Sequence, residues 1–179
     1  MVITDFLNGS SRANMIGKQR RIYKLKIGLI IYSLTGNTKN VAVKLKDKLS
    51  SAGHSVSLEE IKISGNTPAQ PGKFQLTTIP DIDTYDQLIF GAPVQALSLN
   101  PVMKTYLKQL PELNGKIVAC YVTKYLPLLW FGGTGAISAM KKICESKGAQ
   151  VLGTEIVVWA ESKREKTITR CIENLSRLF

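Results

Sequence analysis

Residues 26–38 read Lys-Ile-Gly-Leu-Ile-Ile-Tyr-Ser-Leu-Thr-Gly-Asn-Thr. The apolar run at 27–32 is continuous rather than alternating, which is typical of a strand buried on both faces of a parallel sheet. A helical pattern follows at once, with apolar side chains at Val41, Leu45 and Leu49 and lysines mostly on the other faces. This stretch therefore predicts a buried strand, a tight turn and an amphipathic helix.

The turn between this strand and helix, residues 33–38, holds three hydroxyl side chains, a glycine and an asparagine. A helix N-terminus presents unpaired N–H groups and the positive end of the helix dipole, and together these bind phosphate. We therefore interpret the turn as a phosphate cradle without a charged side chain. The alternative is an ordinary corner in which Thr35 or Asn37 only caps the helix. Neither G-x-x-x-x-G-K-[ST] nor G-x-G-x-x-G is present, which excludes the two commonest nucleotide loops.

The turn also carries a family resemblance. Ser-x-Thr-Gly-Asn-Thr after a first buried strand resembles the FMN-phosphate loop of the flavodoxin family. A second shared feature is the short strand at 85–90, which leads into Gly91-Ala92-Pro93. The resemblance covers residues 26–179.

Strand and helix patterns alternate along the rest of the chain, which predicts an α/β fold with a parallel sheet covered on both sides. Strands are expected at 27–32, 55–63, 85–90, 116–123 and 151–159, and helices after residues 38, 100, 133 and 162. The resemblance implies a three-layer, doubly wound, five-stranded sheet in the order 2-1-3-4-5. Segment 64–84 departs from this pattern, because its glycines and prolines predict a long loop or a short helical turn instead of a crossover helix. Ser162 to Glu165 form a capping-box pattern that opens the last helix.

The resemblance implies that FMN lies at the carboxyl edge of the strands. It assigns the phosphate to the turn at 33–38, one side of the flavin ring to residues 93–98 and the other side to residues 123–133. The cofactor-binding residues expected on this basis are Ser33, Thr35, Gly36, Asn37, Thr38, Pro93, Val94, Gln95, Ala96, Leu97, Thr123, Lys124, Tyr125, Trp130, Gly132 and Gly133.

The ring-side segments carry two further expectations. Residues 94–100 contain no glycine, and a peptide that must take a positive φ is costly without one. We therefore expect one-electron-reduced flavin to be poorly stabilised and two-electron chemistry to be favoured. Lys124 and Tyr125 are interpreted as ligand contacts, and no catalytic residue is predicted. Trp130 and Phe131 are expected to form one wall of the site for the planar ring, a homodimer contact or part of the core.

The length of 179 residues suits one folded domain at 26–179 behind a poorly ordered basic leader at 1–25. The sequence shows no membrane span, no secretory signal and no clustered metal ligands. Three widely spaced cysteines predict free buried thiols in a reducing cytoplasm, and the single histidine, His54, is given no role. The formal charge of +11 is compatible with attraction to acidic proteins, nucleotides or anionic lipid, but solvated lysines on helix faces are the preferred interpretation, and no motif supports binding of nucleic acid.

Three classes of function fit these features. The first is an FMN-dependent redox protein, either an electron carrier or a quinone or NAD(P)H reductase, that serves a partner protein or a small-molecule acceptor. The second is a response-regulator-like module, but this needs an aspartate at the end of the third strand, where the chain has Phe90-Gly91-Ala92. The third is a flavodoxin-like module that has lost its cofactor and acts through protein contacts.

Overall fold

The computed structural model describes residues 24–65, 72–125 and 132–179. Within these ranges the chain forms eight strands and four α-helices. The strands are β1 (Lys26–Ile31), β2 (Ser55–Glu60), β3 (Lys62–Ser64), β4 (Gln75–Thr78), β5 (Gln87–Gln95), β6 (Ser98–Leu99), β7 (Ile117–Lys124) and β8 (Gln150–Val158). The helices are α1 (Asn37–Ser51), α2 (Pro101–Gln109), α3 (Gly133–Ser146) and α4 (Arg164–Ser176).

The main sheet has the strand order β2-β1-β5-β7-β8, and these five strands are parallel. The predicted doubly wound sheet in the order 2-1-3-4-5 is therefore confirmed. The short strand β6 is an addition that pairs antiparallel with the end of β5. Because all five main strands run the same way, their carboxyl ends meet along one edge, where ligands of open α/β sheets bind.

Helices cover both faces of the sheet, as the continuous apolar strands predict. On one face, Leu29 and Ile31 of β1 join a buried cluster with Val41 and Leu45 of α1 and with residues of α4. The opposite cluster combines alternate residues of β5 and β7 with α2 and α3. The three cysteines are free and buried, as expected: Cys120, Cys144 and Cys171.

Segment 64–84 forms neither a crossover helix nor a helical turn in its described part. Strands β3 and β4 make a small antiparallel hairpin, so the prediction of a long loop is wrong for residues 64 and 75–78, whereas residues 79–84 belong to no strand or helix. Residues 66–71, at its tip, lie outside the described residues. Ile63 and Leu76 pack against the α2–α3 side of the core, so the hairpin covers the sheet where a helix is missing.

Strand β2 explains why a hairpin suffices on this side. Its apolar side chains, Val56 and Leu58, pack toward α1 and α4. The other face carries polar side chains, and Tyr85 lies there over Gly28 and donates to Glu59 Oε1 at 2.9 Å. Little apolar surface is left for a helix to bury.

Two further expectations concern the residues that begin helices α2 and α4. Asn100 caps α2 as predicted, because its Oδ1 accepts from the Val102 N–H at 2.9 Å and Pro101 is the first helical residue. The capping box expected at Ser162 is wrong. A 3₁₀ turn, Glu161–Lys163, precedes α4, and no side chain caps that helix. A box requires an extended N-cap residue, whereas Ser162 lies inside the turn.

Tyr121 joins the sheet to the start of α1. Its ring crosses Gly91 on the neighbouring strand, where an added Cβ would lie 2.5 Å from the tyrosine oxygen. The hydroxyl group donates to the Thr38 carbonyl oxygen at 2.9 Å, in a fully buried position. Glycine at position 91 therefore makes room for the side chain that fixes the first helix.

This packing predicts that Gly91→Ala lowers the free energy of unfolding by about 2–3 kcal/mol, since the methyl group overlaps a buried ring. Gly135→Ala is the matched control, because an added Cβ there meets nothing within 4 Å in helix α3. The control should be stabilised by up to about 1 kcal/mol. Urea denaturation of both variants measures the difference, and equal effects would contradict the role of Gly91.

Candidate functional site

Three chain segments meet at the carboxyl edge of the sheet: the turn after β1, the end of β5, and the end of β7. Between them lies a cleft of about 160 Å³. Ligand pockets usually exceed about 300 Å³, and the chain after Tyr125, residues 126–131, lies outside the described residues. The described walls therefore enclose a cleft that is smaller than a usual ligand pocket. They consist of Leu34, Thr35, Asn37, Pro93, Val94, Thr123, Lys124 and Tyr125.

The turn before α1 has the backbone geometry of an anion site. Gly36 adopts φ +85° at the N-cap, and α1 begins without a side-chain cap and without an acidic residue in its first turn. The Lys39 N–H donates to Ser33 Oγ at 3.2 Å, which closes the turn. The N–H groups of Asn37 and Thr38 have no intrahelical acceptor, because they belong to the first turn. The helix dipole and these donors favour a negatively charged ligand.

The Thr38 side chain lies on the inner side of this turn. It is 1% exposed, and its Oγ1 is 2.8 Å from Thr123 Oγ1 at the end of β7. Its hydroxyl group therefore ties α1 to the sheet, while Thr35 and Asn37 line the cleft. The residues predicted to bind the phosphate therefore differ in position: the Thr38 side chain contacts the sheet, whereas Thr35 and Asn37 lie at the cleft.

The segment expected to flank the ring is a β-hairpin. Pro93, Val94 and Gln95 continue β5, which corrects the expectation that the strand ends at residue 90. Ala96 and Leu97 form the two-residue tip, with φ of +45° and +62°. These angles match a type I′ turn, for which glycine or asparagine is usual. The chain thus adopts positive φ without glycine, and backbone strain of this kind is concentrated at functional sites.

The two segments predicted to flank the ring contact each other. Gly132 adopts φ +75°, and an added Cβ would lie 2.6 Å from the Leu97 Cα atom. Only glycine fits this approach, so the start of α3 is held against the hairpin tip. Gly133 follows as the first residue of α3 and packs on the Lys124 side chain.

The end of β7 places one cation at the cleft. Lys124 is 6% exposed, and burial lowers the pKa of its ammonium group. Tyr125, the next residue, is 72% exposed. Both line the cleft, and their roles as ligand contacts stay predictions.

Sequence reasoning missed Leu34, which is 55% exposed and lines the cleft. An apolar side chain donates no hydrogen bond to a phosphate, so a phosphate-binding pattern does not predict it. An apolar residue exposed inside a polar turn was the available signal. Trp130, another predicted contact, lies outside the described residues.

Comparisons with solved structures identify the class of fold. A short-chain flavodoxin associated with a non-canonical PDU bacterial microcompartment is 18% identical, with a TM-score of 0.60 over 86% of this chain and 98% of its own. Flavodoxin 2 from Bacillus cereus is 20% identical, with a TM-score of 0.60 over 85% and 95%. A flavoprotein in complex with FMN from Lactobacillus acidophilus NCFM is 22% identical, with a TM-score of 0.58 over 80% and 99%.

These similarities show that the chain has a flavodoxin-like fold, which confirms the expected architecture. No family model matches the sequence, and no curated protein matches it. In the described ranges, no helix is long and apolar enough to span a membrane, and no cluster of potential metal ligands is found.

The hairpin tip predicts an unusual response to glycine. Ala96→Gly should raise the free energy of unfolding by about 1 kcal/mol, because glycine adopts the left-handed conformation of residue 96 without the steric strain that alanine carries. Ala139→Gly, the same substitution inside α3, should lower it by about 1 kcal/mol. Urea denaturation distinguishes the two signs, and destabilisation by both changes would contradict a strained tip.

Proposed function

We propose that this protein is an FMN-binding redox protein that carries out electron transfer or flavin-dependent reduction. The observation that supports it best is the open N-terminus of α1 at the sheet edge. It has a left-handed glycine at the cap, no side-chain cap and no acidic residue in its first turn. An FMN phosphate fits such a terminus, since its charge is matched by backbone N–H groups and the helix dipole.

The residues present fit the phosphate end of the cofactor. An added Cβ at Gly36 would meet nothing within 4 Å, so the approach to the turn is open. In this proposal Ser33, Thr35, Gly36, Asn37 and Thr38 hold the phosphate, with Thr38 acting through its backbone. The ring lies against Pro93, Val94, Gln95, Ala96 and Leu97 on one side and Thr123, Lys124, Tyr125, Trp130, Gly132 and Gly133 on the other. The binding domain would span residues 26–179.

FMN, when bound, supplies the one- and two-electron chemistry. The chain's own residues bind and orient it, and no described side chain at this edge is assigned as a catalytic acid, base or nucleophile. The electron donor or acceptor is then a partner protein or a small molecule, and the charge of +11 favours an acidic one. The three buried thiols support a reducing compartment such as the cytoplasm.

A second candidate is a module without cofactor that acts through protein contacts. It is favoured by the exposed side chains of Leu34 and Tyr125, which both line the small cleft. Such clustering marks interaction surfaces. These same residues would flank a bound ring, so the presence of the flavin decides between the two candidates.

The deciding experiment is a visible absorption spectrum of the purified protein before and after addition of excess FMN, followed by gel filtration. Flavin bands that travel with the protein support the redox proposal. A colourless protein that releases added FMN favours the module without cofactor.

The Asn37→Asp variant tests phosphate binding separately from the stability of the fold. The carboxylate is nearly isosteric with the amide and suits a helix N-terminus, so stability should stay equal or rise by about 0.3–1 kcal/mol. Like charge should nevertheless weaken FMN binding at least about tenfold. Riboflavin, which lacks the phosphate, is the control ligand, and its affinity should change by less than about twofold.

Fluorescence-quenching titrations with both ligands provide the measurement for wild type and variant. If Asn37→Asp lowers the affinities for FMN and riboflavin equally, the phosphate does not bind at this turn. The same conclusion follows if neither affinity falls.

A further inference from the structure

A second concave surface, outside the cleft, lies between strand β6 and helix α2. This groove encloses about 270 Å³ and is lined by Ser98, Leu99, Pro101, Lys104, Thr105 and Lys108. Leu99 is 3% exposed and contributes apolar lining, whereas the two lysines are exposed side chains of the helix. The volume is below that of usual small-molecule pockets, and it suits one or two side chains of another protein.

The two cations of this groove have no anionic partner in the part of the chain that the structure describes. Lys104 and Lys108 are four residues apart on α2, so they share one face of the helix and repel each other. Neither belongs to an ion pair among the described residues. Residues 87–111, which include all of α2, contain no acidic residue. On α1, by contrast, Lys44 Nζ lies 3.6 Å from Glu165 Oε2.

The charge and the lining of the groove indicate which partner fits it. A second copy of this protein would bring the same formal charge of +11, so like charge opposes self-association through this surface. Nucleic acid is disfavoured, because the lining contains no aromatic side chain that could stack on a base. A protein segment with carboxylates on both sides of an apolar side chain matches the two lysines and Leu99.

We propose that the groove between β6 and α2 is a docking site for an acidic segment of a partner protein. The carboxylates of that segment bind Lys104 and Lys108, and the apolar side chain between them packs on Leu99 and Pro101. This inference goes beyond the proposed function, because the groove lies outside the cleft and its lining does not involve FMN. Val94 lines the cleft and pairs with Leu99 in the hairpin, so a docked partner lies next to the cleft.

The probe for this site is the fluorescein-labelled peptide Gly-Glu-Glu-Leu-Glu-Glu-Gly, titrated with the protein and followed by fluorescence anisotropy. The titration is run at about 0.1 M salt, where the Debye length is about 10 Å and distant charges are screened. We expect saturable binding that weakens as salt is added. The same peptide with alanine in place of leucine should bind at least about threefold more weakly, because it leaves the apolar lining uncovered.

Two double variants locate the binding surface. Lys104→Gln combined with Lys108→Gln removes both charges of the groove and should weaken peptide binding at least about tenfold. Lys44→Gln combined with Lys48→Gln is the matched control, because it removes two exposed charges with the same spacing from α1 and lowers the net charge equally. We expect this control to change the affinity by less than about twofold. Far-UV circular dichroism of both double variants verifies the fold.

Three results would overturn the docking site: no peptide binding up to millimolar protein, equal losses in the two double variants, or equal affinities for the leucine and alanine peptides. Equal losses would mean that the net charge of the chain attracts the peptide without any role of the groove. Vesicles that contain phosphatidylserine are titrated in parallel. If the loss of Lys104 and Lys108 weakens vesicle binding more than peptide binding, the groove belongs to a lipid surface and the proposal of a protein partner is wrong.

Repeating the peptide titration with excess FMN separates this inference from the proposed function. We expect the peptide affinity to be the same with and without FMN, since the two ligands use different surfaces. A protein that does not retain FMN but binds the peptide through α2 loses the redox proposal and keeps the docking site. A protein that retains FMN but fails the peptide test keeps the redox proposal alone.

Discussion

The contact of Tyr121 with the start of α1 is the constraint on which the rest of the site depends. A parallel sheet fixes its strands, but the turn after β1 is exposed, and nothing in a hydrophobic core holds such a turn in one shape. Here the tyrosine reaches across Gly91 to the Thr38 carbonyl oxygen, and Thr123 meets the Thr38 hydroxyl group. Burial raises the pKa of Tyr121, so the donating proton is retained. The turn is thus anchored by β7, and its residues Thr35 and Asn37 line the cleft.

Much of the fold was predictable because its decisive signals are local. Continuous apolar runs mark the buried strands and four-residue spacing marks α1, so periodicity predicted a parallel sheet covered on both sides, and the resemblance supplied the strand order. The hairpin at 62–78 was not predictable in this way, since its shortest strand has three residues and its pairing is between distant positions. The polar face of β2, with Glu59 beneath Tyr85, was a readable sign that no helix would pack there. The failed capping box at Ser162 shows the same limit, because a 3₁₀ turn displaced the N-cap from its expected residue.

In the site, too, features that depend on local sequence were predictable, and features that depend on distant neighbours were not. The turn at 33–38 follows from a strand that stops before a helix, so the sequence located the open helix end, while the left-handed conformation of Gly36 came from the structure. Side-chain directions did not follow, because they depend on neighbours from other strands: Thr38 faces inward to Thr123, whereas Asn37 faces the cleft. The burial of Lys124 was equally invisible, since α3 and β8 create it.

Strain and close packing together give the hairpin at 94–99 its shape. A left-handed Leu97 persists only where its surroundings hold it, and Gly132 provides that support through a backbone contact that any side chain would break. On the other side of the tip, Asn100 both caps α2 and donates to the Gln95 side chain. The hairpin is therefore restrained at both ends by groups outside it. Under the proposed function, a hairpin restrained in this way would lose little entropy when a planar ring packs against it, which is the physical advantage of preorganisation.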